Sequence, residues 1–339
     1  MPATWVALPE STEELAAVLR ACAERGLAAV PVGGGTKLDW GGPPERCDVL
    51  LDLCCLDRVL EHAAGDLVVR VQAGLTLDRL AAALAAAGQE LALDLPLPGA
   101  TVGGTLATGL AGPRALRYGT PRDLLIGITV VLADGTIARS GGKVVKNVAG
   151  YDLGKLFTGS YGTLGVIAEA TFRLHPRPQD RRWLVTRRDP REVFPVLAAH
   201  QAEPSAITLD WPEGTVTVLV EGAAAEARAQ ALRLEVGGDL LAGEPAGWAG
   251  LDEPVTEVRT LPTGLPALLD ALGEARTRLW LADHLVAYTA AGPDRLHGDG
   301  RRVRVLGQPQ AAPNPLLQRV KERFDPGRVL APGRLLGGF

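Results

Sequence analysis

The sequence predicts an α+β fold with two domains. Its 339 residues, 47% of them hydrophobic and 22% charged, are enough to bury two cores. The first half alternates helical patterns with short apolar strands, which indicates a layered unit. The second half mixes helices with strand pairs, which indicates a smaller α/β domain with an open antiparallel sheet and helices on one face. Three glycine-rich segments lie in the first half, and we expect them to meet around one ligand.

Helix caps mark out the first layer. Ser11 and Glu14 form a capping-box pattern, and the helix after Ser11 is predicted to end at Gly26. Thr76 is predicted to cap an alanine-rich helix that ends at Gly88. Strands are expected in the apolar runs at 27–30, 50–53 and 67–71.

A hairpin and a long strand are predicted next. Asp134-Gly135 separates the apolar runs 126–132 and 136–139, which is a strong hairpin signal. Asp152 is predicted to cap a short helix through Phe157. One face of the following strand is predicted to carry alternate apolar residues, namely Val166, Ala168, Ala170, Phe172 and Leu174.

The first glycine segment, residues 31–36, reads Pro-Val-Gly-Gly-Gly-Thr. Three glycines let a backbone approach a ligand closely, and successive exposed N–H groups suit an anion. It is not a dinucleotide fingerprint, because Leu38 stands where the third glycine should be, and the P-loop pattern is absent. Taken alone, the segment is also compatible with an ordinary flexible loop.

Two further glycine segments strengthen the ligand hypothesis. Residues 99–105 place Gly103 and Gly104 in the first turn of a helix, and the unpaired N–H groups of a helix N-terminus suit phosphate. The third segment, residues 159–165, precedes the predicted long strand.

The second half begins where two prolines follow His175. Asp189 with Pro190 predicts a helix start, and Pro195 predicts a kink or a short helix. Other helices are expected at 223–236, at 266–275 and from Asn314, and strands at 206–210, 215–221 and 279–289.

Composition argues against several function classes. The net charge of −4 without a basic run argues against nucleic acid as a partner. No apolar run reaches the roughly 18 residues of a membrane span, and the start lacks a basic n-region, so a cytoplasmic protein is expected. Cys22, Cys47, Cys54 and Cys55 lack C-x-x-C spacing, which argues against iron–sulfur and zinc sites.

Five motifs together identify a family. They are residues 31–36, 101–108, 112–123, 146–152 and 159–167. Their types and order resemble the PCMH-type FAD-binding fold of the vanillyl-alcohol-oxidase family. The run Lys146–Asp152, with Gly112-Pro113-Arg114, is similar to the FAD-binding E-type subunits of bacterial glycolate oxidases. The resemblance covers about residues 5–176, and residues 332–334 again.

The resemblance implies a domain division and a cofactor. It implies a two-part FAD-binding domain at 1–177, a cap or substrate domain at 178–313, and a return segment at 314–339 that packs on the FAD domain. The expected FAD contacts are Pro31, Val32, Gly33, Gly34, Gly35, Thr36, Gly99, Thr101, Gly103, Gly104, Thr105, Ala107, Thr108, Arg114, Tyr118, Gly165, Val166 and Ile167. The first segment would wrap the pyrophosphate, the second would follow the phosphates and ribityl chain, and Val166 and Ile167 would lie near the rings. The pyrophosphate loop lacks His and Cys, so non-covalent FAD is expected.

Candidates for contact with a substrate carboxylate are Arg114, Lys146, Tyr151 and Arg334, although a positioning role fits them as well. Residues 296–300 are similar to the H-x-G-D-G-N-x-H segment of related 2-hydroxy-acid dehydrogenases, but the asparagine and second histidine are missing. We therefore expect a hairpin turn at Asp299-Gly300 and no metal. Tyr161 stands where many relatives carry Glu.

Three functions remain open. The first is the FAD-binding subunit of a complex that oxidises a 2-hydroxy acid such as glycolate, with a D-type flavoprotein subunit and an iron–sulfur subunit as partners. Such a subunit would be cytoplasmic, or peripheral at the inner membrane through those partners. The second is a self-sufficient FAD-dependent hydroxy-acid or alcohol oxidoreductase. The third is a non-catalytic assembly subunit that keeps the fold.

Overall fold

The computed structural model describes residues 3–94, 97–142, 152–248, 250–251, 253–298, 300–308 and 315–334. The helices are α1 (Thr12–Arg25), α2 (Leu77–Ala85), α3 (Val102–Thr108), α4 (Ala115–Tyr118), α5 (Pro121–Leu124), α6 (Gly154–Phe157), α7 (Pro190–Ala199), α8 (Ala225–Val236), α9 (Leu265–Leu272) and α10 (Pro315–Phe324). The strands of the first half are β1 (Trp5–Ala7), β2 (Ala29–Val32), β3 (Val49–Asp52), β4 (Val59–Ala63), β5 (Val68–Gln72), β6 (Gln89–Glu90), β7 (Leu125–Val131), β8 (Ile137–Gly141), β9 (Val166–Arg173) and β10 (His175–Pro176). Those of the second half are β11 (Arg181–Thr186), β12 (Ala206–Trp211), β13 (Thr215–Glu221), β14 (Asp239–Leu241), β15 (Thr256–Thr260), β16 (Thr277–Leu281), β17 (Leu285–Thr289) and β18 (Arg302–Val305).

Two sheets build the first half. A parallel sheet has the strand order β1-β3-β2, and an antiparallel sheet has the order β4-β5-β9-β7-β8. One core lies between them, where Leu15 and Leu19 of α1 pack with Leu51, Val131 and Ala168. The caps predicted for this half are present, because the side chains of Ser11 and Thr76 accept hydrogen bonds from the third residue beyond each.

The predicted alternation along β9 is wrong at its start. Val166 and Ala168 pack in the core with α1, whereas Ala170 and Phe172 pack in the core that contains α2 and α3. The register between β7 and β9 shifts between Thr129 and Val130. A register irregularity of this kind changes which face a residue points to.

The second half forms the cap sheet, an eight-stranded antiparallel sheet in the order β14-β11-β13-β12-β16-β17-β15-β18. Apolar side chains of α7, α8 and α9 cover one face, in the cluster that includes Leu197, Leu232 and Leu268. On the other face, Trp280 and Tyr288 pack against Trp40, Leu110 and Tyr161 of the first half. The expectation of an antiparallel sheet with helices on one face is confirmed. The domain limits 1–177, 178–313 and 314–339 stay a prediction.

Four local predictions are wrong or only partly supported. Residues 279–289 form the hairpin of β16 and β17 rather than one strand. Asp152 does not cap α6 with its side chain, which pairs with Lys155 instead. The helix α7 continues through Pro195 to Ala199. Strand β18 pairs with β15, so the turn predicted at Asp299-Gly300 is not that of a hairpin, and Asp299 itself lies outside the described residues.

The C-terminal segment returns to the first half. Phe324 of α10 packs edge-on against Phe157, with ring centroids 5.7 Å apart. The amine of Lys321 donates to the carbonyls of Thr163 at 2.7 Å and Leu330 at 2.8 Å. Within the described part of the chain, none of the helices has the length and apolar content of a membrane span.

Candidate functional site

The first glycine segment lies against the second. It leaves β2 at Val32, whose carbonyl accepts a 3.0 Å hydrogen bond from the amide of Leu53. A Cβ added at Gly33 would collide with the hydroxyl of Thr101, and one added at Gly34 would collide with the carbonyl oxygen of Gly99. Only glycine fits at these two positions, because each backbone approaches another segment too closely for a side chain.

The third glycine segment closes the same site. The amide of Tyr161 donates a 2.7 Å hydrogen bond to the carbonyl of Ala107, on α3. A Cβ added at Gly162 would lie 2.6 Å from Cγ of Pro31, at the start of the first segment. The three glycine segments therefore meet, as the sequence predicts.

Two adjoining clefts run between the segments. The predicted cofactor residues that line them are Pro31, Val32, Gly33, Gly34, Gly35, Thr36, Thr101, Gly103, Gly104, Ala107, Thr108, Val166 and Ile167. Arg334, predicted as a substrate contact, lines one of them as well. Gly99 touches the first segment through its carbonyl, Thr105 is buried, and Gly165 packs against Phe157. Lys146 and Tyr151 lie outside the described residues.

The N-terminus of α3 differs from the expectation. The amide of Val102 donates to the carbonyl of Leu75 at 2.9 Å, and that of Gly103 donates to the carbonyl of Ala73 at 2.7 Å. The amide of Gly104 donates to the hydroxyl of Thr101 at 3.2 Å. These three N–H groups are already paired, so they are not the free donors that the sequence predicts, and contact of the second segment with the phosphates stays a prediction.

The N–H groups of the first glycine segment, in contrast, have no acceptor among the described residues. Within the described residues, no hydrogen bond is donated by the backbone of Gly33, Gly34, Gly35 or Thr36. Gly35 has φ of +72°, the left-handed conformation that lets successive N–H groups point towards one ligand. This loop therefore holds the free donors of the site.

Two cations face the cleft. Lys37 follows the loop directly; its side chain is 6% exposed, and its amine donates a 3.1 Å hydrogen bond to the hydroxyl of Thr36. Burial lowers the pKa of Lys37 to about 8. Arg334 is 5% exposed and donates a 2.6 Å hydrogen bond to the carbonyl of Leu38. Burial also lowers the pKa of Arg334.

Sequence reasoning missed Lys37, Leu38 and Tyr161 as cleft residues. The position of Lys37 directly after the three glycines was a usable signal. Tyr161 has φ of +53°, which is uncommon for a residue other than glycine. Nothing in the pattern of the third segment indicated that this side chain would line the cleft.

Arg114 and Tyr118 lie outside the glycine clefts, where the first half contacts the cap sheet. The guanidinium of Arg114 is paired with Glu90 and lies 3.3 Å from a carboxylate oxygen of Glu221, on the cap sheet. The hydroxyl of Tyr118 donates a 3.0 Å hydrogen bond to Glu221, and Arg181 joins the same cluster with its Nε 2.8 Å from that carboxylate. The charge of Glu221 is held by these partners, and its pKa is lowered despite burial, which opposes the shift. The contacts tie the first half to the cap sheet, and neither predicted residue lines the glycine clefts.

The residues that line the glycine clefts suit the dinucleotide cofactor that the resemblance implies. The described lining contains no acidic residue, and the N–H groups of residues 33–36, which have no acceptor among the described residues, suit a diphosphate. Val166 and Ile167 supply an apolar wall to one of the clefts, and their position at the rings stays a prediction. A covalent attachment point is not apparent, because neither His nor Cys lines the described clefts.

Histidines and metal ligands lie elsewhere. His175 packs edge-on against Tyr118 with ring centroids 4.8 Å apart, and His62 contacts Gln89 at 2.8 Å. His200 accepts a 2.9 Å hydrogen bond from the amide of Ala202. In the ranges that the structure describes, no group of three or more potential metal ligands occurs.

Comparison with known proteins extends these findings. The family described as an FAD binding domain matches residues 3–141. Glycolate oxidase subunit GlcE from Escherichia coli (strain K12) is 33% identical over 311 residues, which cover 84% of this chain and 86% of that protein. Glycolate oxidase subunit GlcD from Bacillus subtilis (strain 168) is 38% identical over 191 residues, 55% of this chain and 39% of GlcD. The mitochondrial D-lactate dehydrogenase (cytochrome) 1 of Saccharomyces cerevisiae is 38% identical over 177 residues, which cover 51% of this chain and only 30% of that protein.

Solved structures agree on the fold. An alkyldihydroxyacetonephosphate synthase superposes with a TM-score of 0.73 at 17% identity, covering 97% of this chain and 77% of the synthase. The predicted α+β FAD-binding fold and the FAD cofactor are confirmed. The chain belongs to the family of FAD-binding proteins that contains glycolate oxidase subunit GlcE.

Proposed function

We propose that the chain is the FAD-binding subunit of a complex that oxidises a 2-hydroxy acid such as glycolate to the 2-oxo acid. The observation that carries this proposal is the cradle of three glycine segments, in a chain that aligns with glycolate oxidase subunit GlcE over 84% of its length. Bound FAD would supply the acceptor for the hydride and electrons of the substrate.

The residues of the chain would bind and orient the cofactor. Because Gly33 and Gly34 have no side chains, the first segment packs directly on the second, and the N–H groups of residues 33–36 would donate to the diphosphate. Ala107 and Thr108 would lie along the ribityl chain, with Val166 and Ile167 at the rings. Tyr161 would close the site on the side of the cap sheet.

Fewer of the predicted substrate contacts than of the predicted cofactor contacts line the glycine clefts. Of the four carboxylate candidates, Arg334 lines the cleft, Arg114 is held by Glu90 and Glu221, and Lys146 and Tyr151 fall outside the described residues. A general base must lie within hydrogen-bond reach of the proton that it takes. None of the chain's histidines lines the described clefts, which favours a second subunit for that task. A D-type flavoprotein subunit and an iron–sulfur subunit are the proposed partners, with the complex in the cytoplasm or peripheral at the inner membrane.

Dye reduction with glycolate tests the proposal. The purified chain should turn over very slowly, and activity should appear when the D-type and iron–sulfur partners are added. Full activity from the chain alone would overturn the subunit proposal and favour the self-sufficient oxidoreductase. A stable complex in which this chain holds no flavin would favour the assembly role.

A further inference from the structure

Four cationic side chains are buried in the part of the chain that the structure describes: Lys37, Arg114, Lys321 and Arg334. Two of them have carboxylate partners, since Arg114 is paired with Glu90 and Glu221, and Lys321 with Asp325. Breaking such a pair leaves an uncompensated buried charge, which is strongly unfavourable. Carboxylates of the chain itself therefore balance the positive charges of Arg114 and Lys321.

Lys37 and Arg334 are not compensated in this way. Among the described residues, neither has a carboxylate within ion-pair distance, and the exposed Asp39 acts on the charge of Arg334 only from farther away. Their partners are neutral: the hydroxyl of Thr36 for Lys37, and the carbonyl of Leu38 for Arg334, whose buried Nε has no acceptor. A buried charge without a counter-ion is costly, so this arrangement indicates an anionic ligand.

Both uncompensated cations lie in one cleft, the cleft between the first glycine segment, α3 and Tyr161. The described lining of this cleft contains no acidic residue. The free N–H groups of residues 33–36 lie in the same wall. Charge and hydrogen-bond donors therefore converge on one region, and no carboxylate among the described residues pairs with the two cations there.

We propose that Lys37 and Arg334 are the counter-ions of the FAD diphosphate. Each phosphate group of that diphosphate carries one negative charge, so two cations match two anions. Charge-assisted hydrogen bonds to phosphate are stronger than neutral ones, and a guanidinium can bind in a bidentate manner. The proposal rests on FAD binding in this cleft, and it assigns Arg334 to the cofactor rather than to the substrate.

Binding titrations with the full chain, stripped of flavin, test the assignment. The probes are FAD and ADP, which share the diphosphate, and the variants are Lys37→Met and Arg334→Met. Each variant should weaken binding of both probes by about tenfold or more at low salt, because a charge-assisted bond is lost. The difference from the native chain should shrink as salt is added, since salt screens the attraction.

Matched controls separate charge from damage to the fold. Lys155→Met removes an exposed lysine paired with Asp152 and should leave both affinities unchanged. Lys37→Gln keeps a group that can bond to the hydroxyl of Thr36 but removes the charge, so it should weaken binding like Lys37→Met. The thermal midpoint of each flavin-stripped variant should not fall, since an uncompensated buried charge has been removed.

Each contrary result has a distinct meaning. FAD and ADP affinities within twofold of the native chain in both variants would overturn the proposal. Loss of FAD affinity with unchanged ADP affinity would also overturn it, because the cations would then serve another part of the cofactor. A native chain that binds no FAD at all would instead contradict the proposed function.

Discussion

The guanidinium of Arg304 donates a 2.7 Å hydrogen bond to the hydroxyl of Tyr161. Arg304 belongs to β18 of the cap sheet, where it is also paired with Glu257, while Tyr161 belongs to the third glycine segment. The ring of Tyr161 lines both glycine clefts, and its backbone amide holds α3 through Ala107. One residue therefore links the cap sheet, the second glycine segment and the glycine clefts.

Removing this hydroxyl should loosen the contact between the two halves. In Tyr161→Phe the partly buried Arg304 loses one of its acceptors but keeps Glu257, which should lower the free energy of unfolding by about 1 kcal/mol. Urea unfolding followed by tryptophan fluorescence measures the change, since Trp40 and Trp280 pack beside Tyr161. A midpoint identical to that of the native chain would show that the hydrogen bond contributes nothing.

Glu221 should be more important for stability than for cofactor binding. It is 1% exposed and faces Arg114, Arg181 and Tyr118. Glu221→Gln leaves the buried guanidinium of Arg114 and the partly buried guanidinium of Arg181 with Glu90 still in place but one carboxylate fewer, at an expected cost of about 3 kcal/mol. Equilibrium urea unfolding is the measurement.

The control for that variant is Glu226→Gln. Glu226 is exposed and pairs with Arg182 on the surface, so the urea midpoint should not move. Equal losses in both variants would contradict the role given to the buried cluster.

Lys37 gives a prediction about pH. Its pKa of about 8 in the flavin-free fold lies below the ordinary value of 10.5. Between these two values the unfolded chain holds a proton that the folded chain has lost, so stability contributed by this group rises with pH across that window. Arg334 and Tyr161 are the other titratable groups in the described cleft wall.

Comparison of the native chain with Lys37→Met isolates the effect. The native chain should gain about 3 kcal/mol relative to the variant between pH 8 and pH 10.5. Thermal or urea unfolding of the flavin-free chains at several pH values measures the difference. A difference that is constant across this range would mean that the lysine keeps its ordinary pKa.

Gly34 should be essential for cofactor binding. Any side chain at this position would collide with the carbonyl oxygen of Gly99, so Gly34→Val must displace one glycine segment from the other. Flavin content of the purified variant should fall to near zero. Gly65→Ala is the matched control, because a Cβ at Gly65 meets no atom within 4 Å. Native flavin content in Gly34→Val would mean that the loop is not the binding site.

Local sequence signals predicted much of this structure. Helix caps at Ser11 and Thr76 and the hairpin at Asp134-Gly135 follow from short-range chemistry, so they were visible in the sequence. The turn between β16 and β17, residues 282–284, contains neither Gly nor Pro, and for that reason the hairpin was predicted as one strand.

The rest depends on long-range packing. The register shift opposite β9 follows from its pairing with β7, which no alternation pattern can reveal. Lys37 became a site residue only through the burial that the fold imposes on it, and Arg334 reaches the cleft from 296 residues beyond Leu38, the residue whose carbonyl it contacts. Arg114 belongs to the Gly112-Pro113-Arg114 motif, which resembles the FAD-binding family. Its guanidinium nevertheless pairs with the carboxylates of Glu90 and Glu221.

The identity of the flavin released from the purified chain is the sharpest test of the proposed cofactor site. The chain is precipitated with acid, and the supernatant is analysed by chromatography against FAD and FMN standards. We expect FAD, about one per chain, entirely in the supernatant, because the donors and cations of the glycine clefts suit a dinucleotide diphosphate and the described lining contains no His or Cys. FMN in the supernatant, or flavin that remains with the precipitated chain, would contradict this expectation.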